Sequence, residues 1–392
     1  MMMKYLIPLL MAAPLAIDYL FWRSRHAHLG PRLRRVIYGA ILAGALLPLL
    51  SLLEASLRTD NLPEEMLLRG SWCLMIYLAM QVRFLLYLGW LFRHKAPRIA
   101  SVVVACGVLF ALIHGVAVGR TALRVEEVTI RSSRLPVGWQ GARLLHFSDL
   151  HVGSLLRPVE ECRRLVDTIL SLQPELILFT GDLVNIRHTE LTDEVMSELS
   201  RLKAPLGVYA VTGNHDLGFY IKDSLRLPRE ENTRLVIEKE RQMGWQLLEN
   251  EHRLLIRHHD TISLTGIGFE RSLRNLRHTR ELPTTYQPQA LYDTLSPRWF
   301  NLTLCHLPQP WDDIRTSGYG DLTLSGHVHS MQHKLPLGAR GWSLAALLYT
   351  RWSGLYTQEG RHLYINDGVG SVGIPARIGA TPELTLITLE QE

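Results

Sequence analysis

Five short blocks along the chain carry side chains that together can hold two metal ions. They are Ser148-Asp149-Leu150-His151, Thr180-Gly181-Asp182-Leu183, Gly213-Asn214-His215-Asp216, Cys305-His306 and Ser325-Gly326-His327-Val328-His329. Asp149 and His151, two apart, would share one face of extended backbone and could bind one ion. Asp182 follows a glycine that lets the backbone come close to a ligand, and its two oxygens can bridge two cations. Asn214 adds a neutral carbonyl oxygen. His306, His327 and His329 add imidazoles, the commonest protein metal ligands. A mixed nitrogen and oxygen set of this kind suits two divalent ions drawn from Mn, Fe, Zn, Co or Ni. Such a pair of cations could lower the pKa of a bound water and orient a phosphoryl group for attack.

Each block follows a short apolar run, at 144–147, 176–179, 208–211, 302–304 and 322–324. Runs of this length read as buried strands, and open α/β sheets bind ligands where such strands end. Between them, helical periodicity covers 159–172, 192–202 and 232–243, and further strands are expected at 125–130, 245–249, 253–257 and 261–266. The alternation predicts an α/β domain, a sheet covered by helices.

The ordered blocks match D-x-H, G-D, G-N-H-[DE], H and G-H-x-H, and over about 140–390 the chain resembles the calcineurin-like metallophosphoesterase superfamily. Its membrane-associated and exported bacterial branch includes lipid A pathway pyrophosphatases and cell-wall phosphodiesterases. The stretches 364–370 and 375–386 add to that likeness. The resemblance implies a four-layer αββα sandwich. It also implies one metal on Asp149, His151, Asp182 and His329, and a second on Asp182, Asn214, His306 and His327. His215 would face the scissile phosphate as a catalytic group, and Asp216 would be either its orienter or a turn residue. The branch often continues G-H-x-H with Gly-Gly-Gln, whereas this chain has Ser330-Met331-Gln332.

The blocks must be carried by something, and the front of the chain is unlike the rest. Of 392 residues, 47% are hydrophobic and 20% charged, a greasy balance. Residues 1–120 hold 13 Lys/Arg against 5 Asp/Glu, while the remainder holds 29 against 32. The basic character therefore belongs to the front, and without a Lys/Arg stripe behind it nucleic acid is not expected as a partner. Four apolar stretches of about bilayer length run over 5–22, 36–53, 71–92 and 99–118. They predict a transmembrane anchor over 1–120, a linker with a first strand over 121–140, and the catalytic domain over 141–392. An Arg cluster follows the first stretch in place of a small-residue cleavage site, which argues against a signal peptide.

The loops after the first and third stretches are basic: Arg23, Arg25, Arg32, Arg34 and Arg35, then Arg93, Lys95 and Arg98. The second is mainly acidic, with Glu54, Asp60, Glu64 and Glu65. Basic loops stay cytoplasmic, so four spans place the domain outside the cytoplasm, at a bacterial-type inner membrane. Asp18 and Arg83, within the apolar stretches, read as an interhelical pair, and His114 as a bystander.

The expected partners are the bilayer and a lipid- or envelope-linked phosphoester. A UDP-2,3-diacylglucosamine pyrophosphatase with a cytoplasmic site is the alternative, and a non-catalytic scaffold a third reading. Arg271, Arg274, Arg277 and Arg280 read either as contacts to anionic head groups or as a solvated face. The apolar tract 344–348, with Trp342, Tyr349, Trp352 and Tyr356, reads either as core or as a membrane-surface element. Four cysteines without a C-x-x-C pair suggest no disulfide framework.

Overall fold

The computed structural model of the chain describes residues 14–23, 30–60, 65–270, 291–293, 295–338 and 341–392. Arg25, Glu64, residues 5–13 of the first apolar stretch and the four arginines between 271 and 280 lie outside them. The chain forms two compact units, one of Met1–Ala117 with Gly373–Ala376 and one of Val118–Val372 with Arg377–Glu392.

The first unit is helical: α1 over 14–23, then α2 (Pro31–Leu57), α3 (Glu65–Gln81), α4 (Arg83–Trp90) and α5 (Lys95–His114). Among the described residues, two helical stretches are long and apolar enough to cross a membrane, Leu68–Trp90 and Lys95–Gly119, with mean hydropathies of 1.5 and 2.4. They overlie the third and fourth apolar stretches of the sequence. The second stretch is helical within the 27-residue α2. Asp18 is buried. The Arg83 guanidinium donates to it at 2.9 and 2.6 Å, and the Tyr87 hydroxyl at 2.9 Å. The two charges neutralise one another, which is how ionisable groups persist among apolar helices.

The second unit is a sandwich of two six-stranded sheets. In chain order its strands are β1 (Arg124–Ser132), β2 (Arg143–Phe147), β3 (Leu176–Phe179), β4 (Val208–Ala210), β5 (Gln246–Leu247), β6 (Glu251–Arg257), β7 (Asp260–Ile267), β8 (Asn301–Cys305), β9 (Leu322–Ser325), β10 (Gly354–Gln358), β11 (Arg361–Ile365) and β12 (Glu383–Gln391). One sheet runs β1-β12-β2-β3-β4-β5 and the other β10-β11-β9-β8-β7-β6. Strands β2 to β5 are mutually parallel, as are β7, β8, β9 and β11. The helices are α6 (Pro158–Ser171), α7 (Asp193–Leu199), α8 (Arg229–Gln242) and α9 (Trp311–Thr316).

Side-chain alternation builds the layers. From the central strands of the first sheet, Leu145, Phe147, Ile177, Phe179, Val208 and Ala210 pack under α6, α7 and α8. The alternate residues Leu144, Leu176, Leu178, Tyr209 and Val211 meet Ile262, Leu264, Leu302, Leu304, Leu322 and Leu324 of the second sheet. On the far side Trp311 of α9 packs on Leu363 and Ile365. Helices, sheet, sheet and helix therefore lie in succession. Both faces of the parallel strands are buried, so they read as continuous apolar runs. Their C-terminal ends carry the metal-type residues.

Candidate metal centre

The five blocks leave β2, β3, β4, β8 and β9 and meet at one rim. Three groups of potential ligands have their donor atoms within 4.8 Å of one another: Asp149, His151 and His329; His151, Asp182 and His215; and Asp182, His306 and His327. His151 and Asp182 each belong to two of them, and of the pair only the carboxylate has a second oxygen to offer. His329 Nε2 is 3.0 Å from Asp149 Oδ1 and 3.2 Å from His151 Nε2. His306 Nε2 is 3.3 Å from Asp182 Oδ2 and 3.2 Å from Asn214 Oδ1. All seven expected ligand positions thus come together, and His215 joins them.

The backbone achieves this differently from the extended geometry expected of Asp149 and His151. Asp149, His151, Asp182, His327 and His329 all have left-handed φ values, from 45° to 70°. Each such residue costs roughly 1–2 kcal/mol, and strain of this kind gathers at functional sites. Ser330 and Met331 are also left-handed, at 49° and 48°. These are the positions where the resembling branch often has glycines, the residues that adopt this backbone without penalty.

Two glycines are fixed by close approach. A Cβ on Gly213 would overlap the Asp182 carboxylate and its backbone nitrogen, and one on Gly326 would overlap Ser148 and Asp149.

Asp216 lies beneath the metal loops. Its carboxylate accepts the backbone N–H groups of Asp182 at 2.8 Å, Leu183 at 2.8 Å, Val184 at 3.1 Å and Gly213 at 2.8 Å. The partner of the His215 ring is instead the Asn185 carbonyl, 2.6 Å from Nδ1. Of the two readings of Asp216, the orienter finds no direct bond to His215: every Asp216 bond found is to backbone of the Asp182 and Gly213 loops. A carbonyl can only accept, so Nδ1 carries a proton and Nε2 is left for chemistry. On its other face His215 stacks on Tyr220, ring centres 4.2 Å apart, and Asn214 Nδ2 donates to the Tyr220 hydroxyl at 3.1 Å.

The electrostatics favour cations. Burial would raise the Asp149 pKa, but the His329 and His306 imidazoles outweigh it and hold the carboxyl below its usual range. Burial likewise opposes ionisation of Asp182, and His306, His215 and His151 overcome it. Burial drives His151 well below its ordinary value and His327 to about 3. Ionised carboxylates and neutral imidazoles are the forms that bind metal. His306 differs. Burial lowers its pKa, but Asp182 outweighs that and lifts it to about 9, placing a proton where a cation would neutralise the same carboxylate. Its Nδ1 donates to the Thr180 carbonyl at 2.7 Å, which fixes the tautomer and aims Nε2 at Asp182. The donor set fits divalent ions.

Two residues of the site escaped the sequence reading. Arg377, fully buried, donates to the carbonyls of Gly370, Asp367 and Ala380 at 2.7–2.9 Å and lies 3.2 Å from His329 Nδ1. Glu190, also buried, accepts the N–H groups of Asn185, Ile186, Arg187 and Gly153 at 2.5–3.1 Å. It thereby shapes the loop whose Asn185 carbonyl holds His215. An Arg inside the 375–386 stretch was a visible signal for the first; nothing in the sequence marked the second.

The calcineurin-like phosphoesterase family matches residues 142–331, which include every expected site position. The uncharacterized metallophosphoesterase YkuE of Bacillus subtilis is 30% identical over 271 residues, 68% of this chain and 86% of that protein. The chain belongs to the calcineurin-like phosphoesterase family. It is a metal-dependent phosphoester hydrolase, and members of its family use a dinuclear divalent centre. UDP-2,3-diacylglucosamine pyrophosphatase LpxG of Chlamydia trachomatis is 26% identical, over 63% of this chain and 84% of that one. A transmembrane protein with a metallophosphoesterase domain from Danio rerio is 29% identical, and the match spans 71% of this chain and 60% of that relative. The name of this last relative and the two apolar helices suggest membrane association.

Proposed function

We propose that this is an integral membrane phosphoesterase that cleaves a phosphodiester or pyrophosphate bond on a lipid- or envelope-linked substrate. Residues 1–120 form the anchor, with about four spans; 121–140 link it to the catalytic domain at 141–392. The observation that carries the reading is the convergence of Asp149, His151, Asp182, Asn214, His306, His327 and His329 at one buried rim.

Asp149, His151, Asp182 and His329 would hold one divalent ion, and Asp182, Asn214, His306 and His327 the other. Ions held there would supply Lewis acidity for polarising a phosphoryl oxygen and activating water at neutral pH. The chain's own residues do the rest. Asp182 spans the two sites, its Oδ1 held by the His215 N–H at 2.8 Å. Asp216 fixes the loops that carry Asp182 and Gly213. His215, its Nδ1–H held by Asn185, presents Nε2 to the substrate. In the imidazolium form it stabilises charge on the phosphoryl oxygens and passes a proton to the leaving oxygen. Burial opposes that form and Asp182 favours it.

The likeness to LpxG favours a second reading, a UDP-2,3-diacylglucosamine pyrophosphatase, which would need a cytoplasmic active site. Loop charges favour the opposite side. Detergent-purified protein assayed against lipid pyrophosphates, phosphodiesters and nucleotide-sugar lipids tests the substrate class. Failure on all of them, with turnover of soluble diesters, would reject it. A reporter fused after Glu392 that works only in the cytoplasm would reject the external placement.

A further inference from the structure

The segment that follows the last two ligands is apolar where it meets solvent. Leu335 and Trp342 pair as a short antiparallel bridge, and a turn of 3-10 helix follows at Leu344–Leu347. Residues three apart eclipse on a 3-10 helix, so Leu344 and Leu347 share one edge. They are 46% and 67% exposed, and Leu337 is 60% exposed. Met331, Leu335 and Trp342 add exposed apolar surface, and residues 341–350 contain no Asp, Glu, Lys or Arg.

The inner side of this crest is fixed to the metal rim. Ala345 is buried with Val328, the residue between His327 and His329, and with Trp352 and Tyr349. The Ser343 hydroxyl donates to the Ser330 carbonyl at 2.5 Å. The Tyr349 ring lies 6.4 Å from that of His327. Met331 keeps a bulky side chain at φ 48°, a backbone that glycine adopts without penalty. An apolar crest thus stands beside the catalytic rim, exposed among the described residues. Exposed patches of this kind mark interaction sites.

The chain itself indicates the occupant. It carries two helices of membrane-crossing length and composition, and only four residues separate the second, ending at Gly119, from β1 at Arg124. A catalytic unit on so short a tether works where acyl chains are the abundant apolar phase. Uncharged apolar residues with Trp and Tyr beside them suit that phase and its boundary. We propose that the crest is an acyl-chain surface: lipid tails lie against Met331, Leu335, Leu337, Trp342, Leu344 and Leu347 while the phosphorylated head group reaches the metals. This rests on the lipid-substrate reading and adds the place where the lipid is held.

The test uses the full chain in nanodiscs. Its probes are a long-chain nucleoside-diphosphate diacyl lipid, the water-soluble short-chain form of the same compound, and bis-p-nitrophenyl phosphate. The variants are Leu337→Ser/Leu344→Ser/Leu347→Ser combined, and Leu347→Gln alone, which disturbs packing least. The expected result is wild-type preference for the long-chain lipid. The triple variant should lose it by about tenfold in kcat/KM with the other two rates unchanged, and the single variant should lose part of it. A preference that survives in both variants overturns the crest while leaving the lipid substrate standing. Equal losses on all three probes would make the crest structural only. Absence of any chain-length preference in the wild type would remove both readings.

Discussion

Asp216→Asn keeps the size of the side chain and removes half of what it does. In the wild type, one carboxylate oxygen accepts from Asp182 and Gly213 and the other from Leu183 and Val184. The amide can satisfy two of these four donors with its oxygen. Its NH2 group must then face the remaining two N–H groups. Each buried donor left unsatisfied costs about 1–3 kcal/mol, so the loops should lose roughly 2–6 kcal/mol before relaxation. Those loops carry Asp182, Asn214 and His215, so the loss appears as weaker metal binding as well as lower stability. Metal content after gel filtration, thermal unfolding with and without added divalent ion, and hydrolysis of bis-p-nitrophenyl phosphate measure it. The expected result is a lower melting temperature, metal loss, and partial rescue of turnover by excess metal. Native stability and metal content with only a shifted pH profile would refute the scaffold role and restore Asp216 as an orienter.

Other substitutions separate chemistry from scaffold. His215→Ala should retain both metals and lose turnover by about 100-fold or more; metal analysis beside the diester assay checks it, and undiminished turnover rejects the role. Arg377→Met leaves three buried carbonyls without their donor and removes the guanidinium beside His329. It should weaken metal affinity about 10–100-fold, read by titration with a competing chelator. Glu240 is fully buried with neither carboxylate oxygen hydrogen-bonded. Burial, then Asp216 and Glu249, raises its pKa well above the ordinary value, with Arg241 opposing. Its folded pKa therefore exceeds its unfolded one, so its contribution to stability is complete below about pH 4.5 and is lost as pH rises. That slope is at most about 1.4 kcal/mol per pH unit. Glu240→Gln should remove it, making the variant more stable than wild type at pH 8.5, as thermal melts at pH 5 and 8.5 would show.

The ligand rim was legible because buried parallel strands advertise themselves as short apolar runs, and five of them end in metal-type residues. Strand β3 coincides with the run at 176–179, and β2 begins one residue before the run at 144–147. Less legible were α9 and the strands β10, β11 and β12. β10 is half exposed and lacks a dense apolar run, and α9 has six residues, too few to set a period. The left-handed backbone at five ligand positions could not be read from Asp and His, whose side chains do not announce φ. Arg377 and Glu190 act on backbone groups of distant loops, so their value depends on tertiary contacts that no local pattern encodes. In the front section, composition announced apolar helices, and the expected pairing of Asp18 with Arg83 is present.

Metal stoichiometry by mass spectrometry, on wild type and on Asp182→Ala purified side by side, bears most directly on the shared-carboxylate centre. The account predicts two divalent ions per chain in the wild type, and loss of metal and of diester hydrolysis in the variant. A variant that keeps two ions and full turnover would contradict it.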